Sequence, residues 1–301
     1  MFRSVVVLFL ALGLAVPANG RAKVKVVASL TDFGALAREV GGDRVEVVTL
    51  ASPTQDPHFV DARPSFAVDL AAADLLIYAG AELEAGWLPP LIRTAGNGRI
   101  LPGQPGHLNV ATVVPLRETP AGSVDRSTGD VHPQGNPHTW VDPRNGLRIA
   151  VAVTQRLKAI DAEGAEVYEA NLRDFARRLG DKMREWKDRL APFAGTKVIV
   201  YHQSWTYFLE WAGLVEVAAI EPLPGVPPAD SDVTALVEAQ RGAGVKLVVA
   251  ESFYPSDRVR FVAERLGAKA LELPAMTGAD GTTGYIDLIQ RIVDRVVGAL
   301  E

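Results

Sequence analysis

Cysteine is absent from all 301 residues. That absence excludes a disulfide framework, so stability must come from the core alone. It also removes the cysteine that a bacterial lipoprotein needs at its cleavage site, and it rules out paired-cysteine metal motifs. Basic clustering is missing too: 31 Lys and Arg stand against 36 Asp and Glu, for a formal charge of −5. A nucleic-acid footprint would be a clustered basic surface, and none is visible. No apolar run approaches the ~20 residues needed to cross a bilayer. HExxH and Asp-rich calcium loops are likewise missing.

What is present is an ordinary globular balance, 48% hydrophobic and 22% charged. The length suggests two domains, each able to bury a core. The N-terminus reads differently. Arg3 is followed by the apolar run "VVVLFLALGLAV" at residues 5–16 and by small residues suited to cleavage. This pattern predicts a signal peptide over residues 1–22, cut near Gly20 or Ala22. The mature protein is then expected in the periplasm, exported, soluble and without a lipid anchor.

Short apolar runs alternate with helical patterns along the rest. Strands are predicted at 24–30, 44–50, 74–80, 196–202, 215–221, 245–251 and 268–273, with helices at 32–41, 64–73 and 285–300. Alternation of this kind implies α/β lobes with mostly parallel sheets. Between them, Val167, Leu172, Phe175, Leu179, Met183, Trp186 and Leu190 keep one helical face apolar, and no proline interrupts residues 165–190. The expected architecture is two (β/α) lobes linked by a single long rigid backbone helix. Its parts are an N-terminal lobe at 23–145, a linking helical segment at 146–192 and a C-terminal lobe at 193–301. Residues 115–137 read as a polar, mobile linker. The four prolines of 221–230 predict a stiff extended loop.

Histidine is scarce, at five residues. Ligands bind beyond the carboxyl ends of strands in open α/β sheets, and three of the five fall in such loops. His58 follows the strand "VEVVTL", His138 lies in "NPHTWVDPRNG", and His202 ends "KVIVYH". His58 and His138 each follow a proline that itself follows Asp or Asn, which stiffens the loop before binding. Three imidazoles and a carboxylate form a tetrahedral Zn²⁺ set. Single loop histidines are more often solvated than metal-bound, and spacing alone leaves both readings open.

Longer segments carry a resemblance. "DPHFVDARPSFAVDLAAADLLIYAGAELEAGWLPPLI", "GDVHPQGNPHTWVDPRNGLRIA" and "KVIVYHQSWTYFLEWAGL" resemble, in order, the three histidine segments of the bacterial zinc/manganese ABC-transporter solute-binding proteins, the cluster A-I family. The long helix and "AESFYPSDRVRFVAERLGAKALEL" are similar as well, so the likeness spans essentially the mature chain. It implies two lobes bridged by a backbone helix, with His58, His138 and His202 as metal ligands between them. It also implies capture of a metal and delivery to an ABC permease in the inner membrane, by a monomer that is not an enzyme and binds no nucleic acid. A periplasmic metallochaperone is a further candidate partner.

The fourth ligand departs from the family pattern. Many relatives supply an aspartate from a segment like "DSLG", whose position here falls near Pro274–Met276. Asp280 is the nearest carboxylate and the favoured ligand, Glu251 the runner-up, and water the third option. His132, in the 115–137 linker, is a candidate accessory residue that accepts metal and hands it to the cleft. His107 is expected to be structural or solvent-facing, and Trp140 and Trp205 to fix loop geometry by packing. Manganese binders of the family tend to place glutamate at the third histidine, whereas this chain keeps His202. Three nitrogens and one oxygen favour Zn²⁺ over Mn²⁺. The alternatives are a manganese carrier of the same class, an exported zinc hydrolase with Glu251 as base, and a binder of a siderophore or other organic ligand.

Overall fold

The structure, a computed structural model, describes residues 22–121, 129 and 131–301. The expected signal peptide therefore lies outside the described residues except for Ala22, as does part of the 115–137 linker. Among the described residues, no helix is long and apolar enough to cross a membrane.

The first sheet holds β1 (Val24–Ala28), β2 (Val45–Thr49), β3 (Leu75–Tyr78) and β4 (His107–Asn109) in the order β2-β1-β3-β4. The second holds β5 (Lys197–Val200), β6 (Val215–Ala219), β7 (Val245–Glu251) and β8 (Lys269–Leu273) in the order β6-β5-β7-β8. Every pairing is parallel. The two sheets thus share one strand order, although the halves show no sequence repeat. Strands such as Val24–Ala28 and Val245–Glu251 are buried almost throughout, as parallel strands covered on both faces must be.

The helices of the first sheet are α1 (Thr31–Gly41), α2 (Pro64–Ala72) and α3 (Leu88–Ala95). The lobes are linked by one long helix, α5 (Ala165–Leu190), as expected, and residues 146–160 belong to a separate helix ahead of it, α4 (Pro143–Ile160). The break has a local cause. Asp161 is buried and accepts hydrogen bonds from Arg44 Nε (2.9 Å), Arg44 Nη2 (2.7 Å) and the Tyr168 hydroxyl (2.6 Å), which fixes the turn at Ala162–Gly164. α4 folds back onto α1 and α5, and α5 alone, 26 residues and about 39 Å at 1.5 Å per residue, runs on to the second sheet.

The second sheet is covered by α6 (Thr206–Ala212), α7 (Asp230–Gln240), α8 (Ser256–Leu266) and α9 (Tyr285–Leu300). One continuous apolar core runs from the first sheet through Phe175, Leu179 and Trp186 of α5 to Leu288 and Ile292 of α9. A smaller one lies on the outer face of the second sheet, around Ile199, Val248 and Val262.

A short strand, β9 (Thr277–Asp280), belongs to neither sheet and packs on α1. Here the chain crosses back: Thr277 N–H and Oγ1 donate to Asp32 Oδ1, and Trp140 Nε1 donates to the Ala275 carbonyl at 2.9 Å. Residues 221–230 are not extended. Leu223 and Val226 pair across a tight turn through Pro224 and Gly225, because Gly225 (φ 72°) donates its N–H to Glu221.

Candidate metal centre

The strand ends supply the site. His58 lies in the loop after β2, His138 in the segment leading to α4, and His202 just beyond β5. One ligand atom from each of the three lies within 4.8 Å of the others. Ring centroids are 5.0 Å apart for His58–His138, 5.2 Å for His58–His202 and 5.0 Å for His138–His202. All three are buried, at 8%, 3% and 3% exposure.

Each imidazole is held by its Nδ1. Asp56 Oδ1 accepts from both the backbone N–H (2.9 Å) and Nδ1 (2.8 Å) of His58. Asn136 Oδ1 does the same for His138, at 2.9 Å in both cases. Glu221 Oε2 lies 2.8 Å from Nδ1 of His202. Carboxylates and an amide oxygen accept here, so Nδ1 carries the proton and Nε2 presents its lone pair. His58 Nε2 is buried with no hydrogen-bond partner among the described residues, as an Nε2 kept for a metal would be. Burial, then the neighbouring imidazoles, hold His138 well below the usual histidine range, so it is neutral at pH 7.

The expected carboxylate Asp280 does not join the three histidines. Its Oδ2 pairs with Arg291 (2.6 Å) and Arg295 (2.8 Å), one turn apart on α9, and among the described residues it is not part of the wall around His58, His138 and His202 that Glu251 shares. Ala275 and Met276 form that side of the cavity wall instead. Glu251 does line it, beside Asp56, Tyr254 and the three histidines. Its carboxylate accepts from Ser204 Oγ, while Oε2 is buried with no hydrogen-bond partner among the described residues. Burial pushes it up to about 7. Glu251 nevertheless falls outside the 4.8 Å ligand group.

The remaining aromatic residues have separate places. His132 stacks on His58, with centroids 5.5 Å apart, and lies 6.2 Å from His138. His107 pairs with the Tyr78 hydroxyl at 3.1 Å, away from the cluster. Trp140 packs on His138 at 5.4 Å, and Trp205 is fully buried.

The braces Asp56, Asn136 and Glu221 lie outside the set of residues that the sequence marks as candidates. For the first two a signal existed: Asp-Pro-His and Asn-Pro-His repeat the geometry in which an Asx side chain accepts from the residue two places on. Glu221 reaches His202 from a different strand, and no local pattern announces it.

The profile of the family described as "Zinc-uptake complex component A periplasmic" (ZnuA) matches residues 26–299. The chain belongs to this family. Among relatives, the "High-affinity zinc uptake system protein ZnuA" of Paracoccus denitrificans is 28% identical over 326 aligned positions, covering 95% of each chain. The "Manganese ABC transporter substrate-binding lipoprotein PsaA" of Streptococcus mitis is 26% identical over 258, covering 84% of this chain and 80% of its own. Two solved structures share the fold at a TM-score of 0.75. "Crystal structure of ZnuA" is 22% identical, and the Mn-bound periplasmic metal binding protein from Candidatus Liberibacter asiaticus is 20% identical. In both cases the match covers 93% of this chain and 100% of the other.

Proposed function

We propose that this chain captures Zn²⁺ in the periplasm and delivers it to an ABC-type permease of the inner membrane. The observation that carries the reading is the set of three buried imidazoles, each with Nδ1 engaged and with ligand atoms within 4.8 Å of one another. Three neutral nitrogens suit Zn²⁺, whereas Mn²⁺ prefers more oxygen and a higher coordination number. A manganese cargo is the second reading, favoured by the relatives described as manganese transporters.

His58, His138 and His202 are the proposed ligands. With Asp280 committed to two arginines and Ala275–Met276 apolar, a solvent molecule takes the fourth position, and the buried Oε2 of Glu251 accepts its hydrogen bond. The metal joins ligands from both sheets. Asn136 Nδ2, which also donates to the Gln203 carbonyl at 2.6 Å, ties the His138 loop to the residue after His202. Loading therefore tightens an interface the permease can read, and release requires the loops to part.

His132 receives metal and passes it inward, whether from solution or from a periplasmic metallochaperone, a role supported by its stacking on His58. The carrier acts as an exported, unanchored monomer. A hydrolase or a siderophore binder would need an open cleft for its organic ligand, whereas these imidazoles are at most 8% exposed, which suits a bare ion. Calorimetry with Zn²⁺ and Mn²⁺ tests the assignment. One tight zinc site that disappears in His58→Ala plus His202→Ala supports it, and zinc affinity no tighter than micromolar refutes it.

A further inference from the structure

The His138 loop is also held from across the cleft, by Tyr207 in the first turn of α6. The Tyr207 side chain is buried, and its hydroxyl sits between two backbone groups of the segment that leads to His138. It accepts from the Arg117 N–H at 2.9 Å and donates to the Asn136 carbonyl at 2.6 Å. The Asn136 N–H in turn donates to the Arg117 carbonyl at 2.8 Å, which closes a ring of hydrogen bonds through Tyr207, Arg117 and Asn136.

Asn136 carries that position to the metal centre. Its Oδ1 accepts from the His138 N–H and Nδ1, while its Nδ2 donates to Glu118 Oε2 (2.7 Å) and to the carbonyl of Gln203 (2.6 Å), the residue after His202. Every donor and acceptor of Asn136 is therefore engaged, and the amide has one orientation: flipped, it would turn Nδ2 toward the His138 N–H. The side chains at the same seam are different. Arg117 Nε and Nη2 meet Glu210 at 2.8 and 3.0 Å, but these two side chains are 43% and 45% exposed, so solvent screens the pair.

We propose that Tyr207 is a positioning residue for the metal: its hydroxyl fixes the Asn136 backbone and, through the Asn136 amide, the aim of His138 Nε2. The role rests on zinc binding at His138, the reading given above. Without the hydroxyl the buried ring keeps its packing, but the Asn136 carbonyl loses its donor and the loop is freer before metal arrives. Ordering that loop then adds to the cost of binding.

Chelator-competition zinc titrations of the full chain at pH 7, arranged as a double-mutant cycle, test this. Tyr207→Phe should weaken zinc about fivefold in the parent, and by under about twofold once Asn136→Ala has removed the amide. Arg117→Gln, which breaks only the exposed ion pair, should stay within about twofold. A purely structural role would lower the urea midpoint of Tyr207→Phe and leave its zinc affinity unchanged. Should Asn136→Ala fold poorly or bind too weakly to titrate, the visible bands of the Co²⁺-loaded protein decide: they shift in Tyr207→Phe and not in Arg117→Gln, and bands identical in parent and both variants overturn the role. Unchanged zinc affinity in Tyr207→Phe, an equal loss in both backgrounds, or the same loss from Arg117→Gln would also overturn it. A parent that takes up no zinc removes the zinc reading and this role together, whereas a parent that binds zinc with a flat cycle removes this role alone.

Discussion

Glu221 and His202 meet at 2.8 Å through Oε2 and Nδ1, although they come from different strand ends. The pairing fixes the tautomer and aims Nε2 at the other two imidazoles. Removing such an outer hydrogen bond typically costs about 10–100-fold in metal affinity. Glu221→Ala is expected to lose that much in a chelator-competition titration with the stoichiometry preserved. Unchanged affinity would show that His202 needs no brace.

Asp280 and Glu251 separate cleanly by mutation. Asp280→Ala should leave zinc affinity within about threefold. It should lower stability by only about 0.5–1 kcal/mol in urea denaturation, because its arginine pairs are partly solvated. Glu251→Ala should weaken zinc by about tenfold or more, since the solvent in the fourth position loses its acceptor. The reverse ranking would restore Asp280 as the ligand.

The burial of Asp32 beneath Thr277 makes stability depend on pH. Asp32 is fully buried, and burial pushes its carboxyl from 3.8 to about 7, against the two hydrogen bonds from Thr277. A raised acid binds its proton more tightly in the folded state. Its contribution is complete below about pH 4 and is lost as pH rises toward 7. Asp32→Asn should therefore match the parent near pH 4 and exceed it at pH 8 by on the order of 2–4 kcal/mol in urea midpoint analysis. Equal stability at pH 8 would contradict the assignment.

Gly146 in α4 tests the packing beneath the site. A Cβ there would lie 2.3 Å from the ring of Tyr285, whose hydroxyl donates to the Trp140 and Asp142 carbonyls at 2.6 and 3.1 Å. Gly146→Ala should cost about 1–3 kcal/mol, read by thermal or urea denaturation, because the ring is fully buried and cannot move freely.

The strands were legible because buried parallel strands are unbroken apolar runs, as in "VKVVA" and "VKLVVAE". β4 was not, since "HLN" is three residues with one apolar member. The apolar stripe of Ala165–Leu190 gave α5 its full length, but the break at Asp161 depends on Arg44, 117 residues earlier, and no local pattern reports it. At the site, strand-end loops and, for His58 and His138, Asx-Pro-His spacing brought the histidines forward only as candidates; the resemblance implied them as ligands, and the fold brings all three within 4.8 Å of one another. Asp280 pairs with Arg291 and Arg295 instead of joining the histidines, and the sequence does not show this, because a carboxylate in a glycine-rich loop looks free until the following helix is brought against it. Glu251 was visible as a strand-terminal acid, but its depth and its hydrogen bond from Ser204 emerge only on folding.

The most direct test is a chelator-competition zinc titration of the intact protein at pH 7 beside His58→Ala, His138→Ala and His202→Ala. One ion per chain at nanomolar affinity or tighter is expected, weakened by about a thousandfold or more in every variant. Micromolar binding by the parent, or a histidine whose removal leaves the affinity unchanged, would contradict it.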